Sequence, residues 1–281
     1  MESNLAENMQ TNTIQQQYDE VIAPHYDLDP QGVTVGSLQR AVKQLQQWGG
    51  DGDGTPLRVF DVGMGTGRFL ELMRAGTGWP IQPFGLDLSE RMLETAKSRV
   101  PGLAAVVDDA RNLDAHFPAE AFDLIATHYI TGFVPIDLLA AKIHARLAPG
   151  GCWSLIGGTM QGFPTLRHKA DSKLLRKMFG GKGIALDGLV CNPADRTAVE
   201  QALERAGFVI RACETFEPPL RFANLNEFLE FGYYGGWLTP FVEALNLHQA
   251  SKLLRLVLNT LVFPVEDHHQ IVIALAEKPD L

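Results

Sequence analysis

The chain has 281 residues, 46% hydrophobic and 20% charged, enough apolar material for one α/β domain with insertions and too much for wholesale disorder. Its 33 acids against 24 bases give a formal charge of −9 with no local Lys/Arg cluster, which argues against nucleic acid as a main partner. The opening residues lack a basic run followed by an apolar one, no apolar stretch reaches membrane-spanning length, and Cys152, Cys191 and Cys213 are scattered. The expectation is a cytoplasmic protein with free thiols, no membrane contact and no structural zinc.

Residues 1–13 are polar and read as a flexible terminus. Residues 14–50 read as N-terminal helices, one from Thr13 to about Tyr26 and another over Val33–Trp48. In the second, Val35, Leu38, Val42 and Leu45 recur near helical spacing. The run GGDGDGTP, Gly49–Pro56, is a turn signal. Residues 51–281 then read as one α/β domain. Its predicted strands begin with Leu57–Val62, Ile81–Leu88, Ala104–Val107, Phe122–Thr127 and Cys152–Ile156. Helices are expected from Arg68, from Ser89, whose hydroxyl stands where an N-cap belongs, and over Ile136–Leu147. This rhythm predicts a parallel sheet covered by helices on both faces. Two long insertions interrupt it, at about 159–201 and 216–267, with a strand Phe208–Glu214 between them and a last strand Gln270–Ala276 after them. Connections this long are usually lids or binding elements.

The sharpest signal is D-V-G-M-G-T-G, Asp61 to Gly67, at a strand end that opens a helix. Glycines at Gly63, Gly65 and Gly67 let the backbone turn tightly and let a ligand approach without a Cβ in the way. The dinucleotide spacing would need glycine at 68, where Arg68 stands. Asp61 is a poor neighbour for a pyrophosphate and a good one for a cationic ligand. Asp87 ends the second strand, where a carboxylate can accept hydrogen bonds from ribose hydroxyls. Asp109 follows the third strand and could accept from an adenine amino group.

With G-L-D-L-S-E-R-M-L-E-T-A-K, D-D-A-R-N-L and F-D-L-I following in order, the sequence from roughly Tyr18 to Leu281 resembles the class I S-adenosylmethionine-dependent methyltransferase family. The resemblance implies a Rossmann-like fold, a seven-stranded sheet of order 3-2-1-4-5-7-6 with an antiparallel seventh strand, and S-adenosyl-L-methionine as cofactor. It implies that Asp61 and Gly63–Gly67 hold the methionine end and that Asp87 binds the ribose. Leu88 and Met92 would lie against the adenine, whose edge Asp109 and the Ala110 amide would read. Tyr26, in an opening segment similar to one that folds over the cofactor in the family, and Thr127 complete the expected contacts. His128, just past the fourth strand, is the candidate general base.

The acceptor must be met by the insertions. Tyr129, Tyr233, Tyr234 and Trp237 are the expected substrate contacts, within an aromatic cover that also holds Phe228, Phe231 and Phe241. The same cover could serve as sheet packing or a dimer contact. His268 and His269 read as a solvated turn. The segment T-H-Y-I is not the N/D-P-P-Y type of base-methylating relatives, no P-C-Q is present, and no metal-ligand set is recognisable. The expected activity is methylation of an apolar or aromatic small molecule, at oxygen, by a monomer or homodimer. The alternatives are C- or N-methylation, action on a carrier-bound acyl chain, or a cofactor-binding interaction protein without catalysis.

Overall fold

A computed structural model describes residues 13–49, 54–173 and 190–280. At its centre is a seven-stranded sheet of β1 (Leu57–Val62), β2 (Ile81–Asp87), β3 (Ala104–Val107), β4 (Phe122–His128), β5 (Leu147–Gly158), β6 (Val209–Phe216) and β9 (Ile271–Glu277). The spatial order is β3-β2-β1-β4-β5-β9-β6. β9 pairs antiparallel with both β5 and β6, and the other pairings in this sheet are parallel. Counting within the sheet, this is the 3-2-1-4-5-7-6 order that the family resemblance implies.

The short apolar runs become central strands because both faces are covered. On one face, α1 (Val33–Trp48) and α2 (Arg68–Thr77) pack over Val59, Leu124, Ala126 and Ile156. On the other, α4 (Ile136–Arg146) and α6 (Arg196–Arg205) pack over Phe60, Ile125, Trp153 and Leu155. Between β2 and β3, α3 (Glu90–Arg99) starts at Ser89, whose Oγ accepts from Met92 N at 3.1 Å.

Several elements depart from expectation. The first helix does not run to Tyr26: a π-turn spans Tyr18–Ile22 and a 3₁₀ turn spans Tyr26–Leu28. Pro24 lies between them and has no N–H to continue the ladder. β5 begins at Leu147 rather than Cys152, because Leu147 already pairs with Phe122 across a bulge. The expected connection 159–201 contains α5 (Pro164–Ala170) and the first half of α6, which Asp195 caps by accepting from Ala198 N at 2.9 Å. The middle of that connection, 174–189, lies outside the described residues, as do residues 1–12. The expected insertion 216–267 also holds a two-stranded sheet, β7 (Pro219–Phe222) with β8 (Val265–His268).

β6 ends and β9 begins at one edge, where Phe216 pairs with Ile271. Gly158, at the end of β5, pairs with the same Ile271. The carboxyl ends of the parallel strands, the glycine loop and the cover therefore share one side of the sheet.

Gly63, directly after β1, has φ +71°, and a Cβ there would lie 2.2 Å from Ile130 Cγ2. Gly63→Ala should therefore combine left-handed strain with overpacking and cost about 2–4 kcal/mol. Urea denaturation checks this; an unchanged midpoint would show that the loop yields.

Candidate active site

Three cavities meet at that sheet edge. The first lies beneath the glycine loop and is bordered by Gly63, Gly65, Asp87, Leu88, Met92, Asp109 and Ala110. A second, smaller space is bordered by Asp61, Gly63, Thr66, Arg68 and Phe69. The third runs under the cover, between Phe133, Phe163, Trp237, Phe241 and His269. Tyr26 and Tyr129 border all three, and Tyr18 and Phe133 border the first and the third.

The acids are held by the loop's own backbone. Gly65 N donates to Asp87 Oδ2 at 2.7 Å, and Ser89 N donates to Oδ1 at 2.9 Å. Burial nevertheless pushes Asp87 up to about 6, and those two bonds pull against it. Asp61, on β1, is 1% exposed, and its Oδ2 has no hydrogen-bond partner among the described residues. Burial first, then the neighbouring Asp87 charge, pushes it up to about 8. Asp109 caps the 3₁₀ turn Ala110–Ala115 through Arg111 N and pairs with Arg111 Nη1 at 2.8 Å.

The N-terminal segment is latched across this space. Asp27 accepts from Arg99 Nη2 at 2.6 Å and from Thr66 Oγ1 at 2.8 Å, and Asp19 accepts from Ser89 Oγ at 2.6 Å. These bonds bring the Tyr26 ring to 3.3 Å from the position a Cβ on Gly65 would take. Gly67 borders none of the cavities; a Cβ there would press on Val100 and Ala96, so this glycine serves helix packing.

Some expected contacts lie elsewhere. Thr127 accepts from Trp153 Nε1 at 2.8 Å, on the opposite face of β4 from His128, as strand alternation requires. It borders none of the cavities. Tyr233 donates to Glu243 at 3.1 Å and stacks on His248, and Tyr234 packs on His25 at 5.0 Å; neither borders the third cavity. Trp237 and Tyr129 do border it, with ring centroids 4.8 Å apart. The Tyr129 hydroxyl makes a short hydrogen bond with Ser37.

His128 borders the first and second cavities and not the third. Its Nε2 and Ser154 Oγ are 3.1 Å apart, its ring meets Phe69 edge-on, and burial pushes its pKa down to about 3. His269, expected in a solvated turn, is 5% exposed and stacks on Phe163 at 4.5 Å. The sequence reading missed Phe163, Arg167, Asn192 and His269 at this cavity. The last of these follows Asp267, a buried helix-capping acid, and precedes the fully apolar start of β9, a pattern that could have marked it as buried.

A buried orphan carboxylate oxygen, two further carboxylates and a glycine loop define a site for a ligand with cationic, hydroxyl and amino groups. Residues 59–151 match a family described as a methyltransferase domain. A trans-aconitate 2-methyltransferase of Methylobacterium nodulans is 30% identical over 146 residues, 51% of this chain and 52% of that protein. One of Sinorhizobium fredii is 27% identical over 202 residues, covering 70% and 74%. The match thus spans about half the length of the first relative. By fold, the YcgJ protein of Bacillus subtilis superposes with TM-score 0.56 at 14% identity, covering 86% and 99% of the two chains. The plantazolicin methyltransferase BamL, solved with a triazolic desmethylPZN analog and SAH, gives 0.53 at 14% identity, covering 99% and 98%. Residues 59–151 are thus similar to a methyltransferase domain, and the chain shares the Rossmann-like fold of the solved methyltransferases.

Asp61 provides a direct check of the cofactor fit. Below about 8 burial holds this carboxyl protonated, whereas a cationic ligand group favours its ionised form. Binding S-adenosylhomocysteine, which keeps the ammonium, should release most of one proton at pH 7. Affinity should rise with pH, by up to about tenfold per unit, until it levels near 8. Calorimetry in buffers of different ionisation heat measures this; Asp61→Asn should abolish the release. Equal proton release in that variant would move the effect to another group.

Proposed function

We propose that the protein transfers a methyl group from S-adenosylmethionine to an anionic oxygen of an apolar or aromatic small molecule. The observation that carries this reading is the orphan Asp61 oxygen at the second cavity, together with an aromatic cavity that shares four side chains with the first. When bound, S-adenosylmethionine supplies an electrophilic sulfonium methyl. Asp87, Leu88, Met92 and Asp109 hold the adenosine side, and Asp61, Gly63 and Arg68 the methionine side. Tyr18, Tyr26, Tyr129 and Phe133 orient the acceptor at the join and exclude water, and alignment of this kind can supply about 7–11 kcal/mol of a barrier.

The nucleophile follows from His128. A histidine held neutral by burial, with its pKa pushed down to about 3, is a weak acceptor of an acceptor's proton. Its expected role as general base gives way to a positioning role beside Phe69 and Ser154. Acceptors that arrive with a negatively charged oxygen, carboxylates above all, need no base. The named activity of the curated relatives, on an acid, supports the same class.

Incubation with methyl-labelled cofactor and a panel of phenols, aromatic carboxylic acids and indoles tests the proposal. Label should pass to oxygen. His128→Asn should keep kcat within about tenfold, since a working general base is worth about 10²–10⁴-fold. A loss in that larger range, with S-adenosylhomocysteine affinity intact, would restore His128 as the base. Trp237→Ala should raise the acceptor KM and leave cofactor affinity within a few-fold.

A further inference from the structure

The third cavity is lined by aromatic and aliphatic side chains, and Arg167 is the one charged side chain among its described lining residues. Arg167 sits on α5, and two contacts fix where that short helix points. Asp267 accepts from Thr165 N at 3.2 Å and from Leu166 N at 2.8 Å, tying the start of α5 to β8. Arg167 Nε donates to Gly162 O at 2.8 Å, which settles one edge of the guanidinium. No carboxylate pairs with it among the described residues. Among the described residues this half-buried guanidinium has no counter-charge, and at an apolar cavity wall it can receive an anion.

His269 borders the same cavity, near enough for the Arg167 charge to act on it. Its ring is clamped between Phe163, stacked at 4.5 Å, and the Trp237 edge at 5.4 Å. Two glycines make room for the imidazole. A Cβ on Gly162 would lie 2.4 Å from Nδ1, and one on Gly158 would lie 2.8 Å from Nε2. Among the described residues Nδ1 is buried without a hydrogen-bond partner. Phe163, which supplies the stacking ring, is held at φ +59°, a conformation costly for a non-glycine residue.

We propose that Arg167 and His269 together bind a carboxylate of the acceptor, so that the preferred substrate is an apolar or aromatic monocarboxylic acid. The guanidinium supplies charge and Nη donors, and the neutral imidazole supplies an Nε2–H donor. The surrounding rings of Phe163, Trp237 and Phe241 take the apolar body. This inference rests on the methyltransferase reading and sharpens its substrate class.

The experiment is calorimetry on the full chain, first with S-adenosylhomocysteine and then, on the saturated protein, with 3-phenylpropionate, 3-phenylpropionamide, 3-phenylpropylamine and trans-aconitate. The acid should bind at least tenfold more tightly than its amide and its amine. Arg167→Gln should lower acid affinity by about 10–100-fold and leave the amide within threefold, as expected for charge-assisted bonds. Arg167→Lys should recover part of the loss, and His269→Asn should weaken the acid by a smaller factor. Acid and amide binding alike, an unaffected Arg167→Gln, no acid binding at millimolar concentrations, or tighter binding of trans-aconitate would each overturn the proposal. Failure of S-adenosylhomocysteine to bind the native protein would instead overturn the methyltransferase reading beneath it.

Discussion

A carboxylate buried at the end of a central strand, with one oxygen lacking any donor among the described residues, is costly unless a ligand completes it. Asp61 is in that position. Its neighbours make the cost plain: Asp87 is buried close by and already engaged by two backbone amides, so the two acids repel each other when both are ionised. A group with positive charge or N–H donors relieves both penalties at once. The loop, the latched N-terminal segment and the strand order all serve to hold these acids where such a group can reach them.

The sheet topology converts that local need into a two-part site. Parallel strands β1, β2 and β4 end under the glycine loop and carry the polar half. β5 and β6 end at the same edge, and β9 starts there because it runs the other way. The insertion between β6 and β9 leaves and returns on the site's side and roofs an apolar half. Four side chains common to both halves form the only described boundary between them. The polar half can therefore bind a charged ligand while the apolar half selects a greasy one.

Much of this was legible in the sequence, and the illegible parts have physical causes. Strand positions followed from short apolar runs bounded by turn residues, because a strand buried on both faces shows itself through composition alone. Asp61, Asp87 and Asp109 stood out because their positions relative to strand ends are set locally. Thr127 was misplaced by one step of pleat, an error that flips a side chain across the sheet. Tyr233 and Tyr234 looked like Trp237 in composition; which of the three faces the cavity depends on a π-turn over Glu230–Tyr234 that aromatic content does not reveal. His269 was taken for solvent-facing because its burial is made by Phe163, Gly158 and Gly162, more than a hundred residues earlier in the chain.

Two aromatic walls of the third cavity are tied down, and under the proposed function this bears on which acceptor fits. Tyr129 and Phe163 both hold left-handed backbone conformations, each at a cost of about 1–2 kcal/mol. Both are tied down on several sides. Tyr129 N donates to Ile156 O at 2.7 Å while its hydroxyl bonds Ser37 on α1, and Phe163 N donates to His268 O at 2.9 Å. Strain that persists under such constraint fixes ring planes before any ligand arrives. A preorganised aromatic wall loses little entropy on binding and accommodates poorly shaped ligands badly. Under the proposal, shape would set which apolar body enters, and the two donors at Arg167 and His269 would set which polar end it carries.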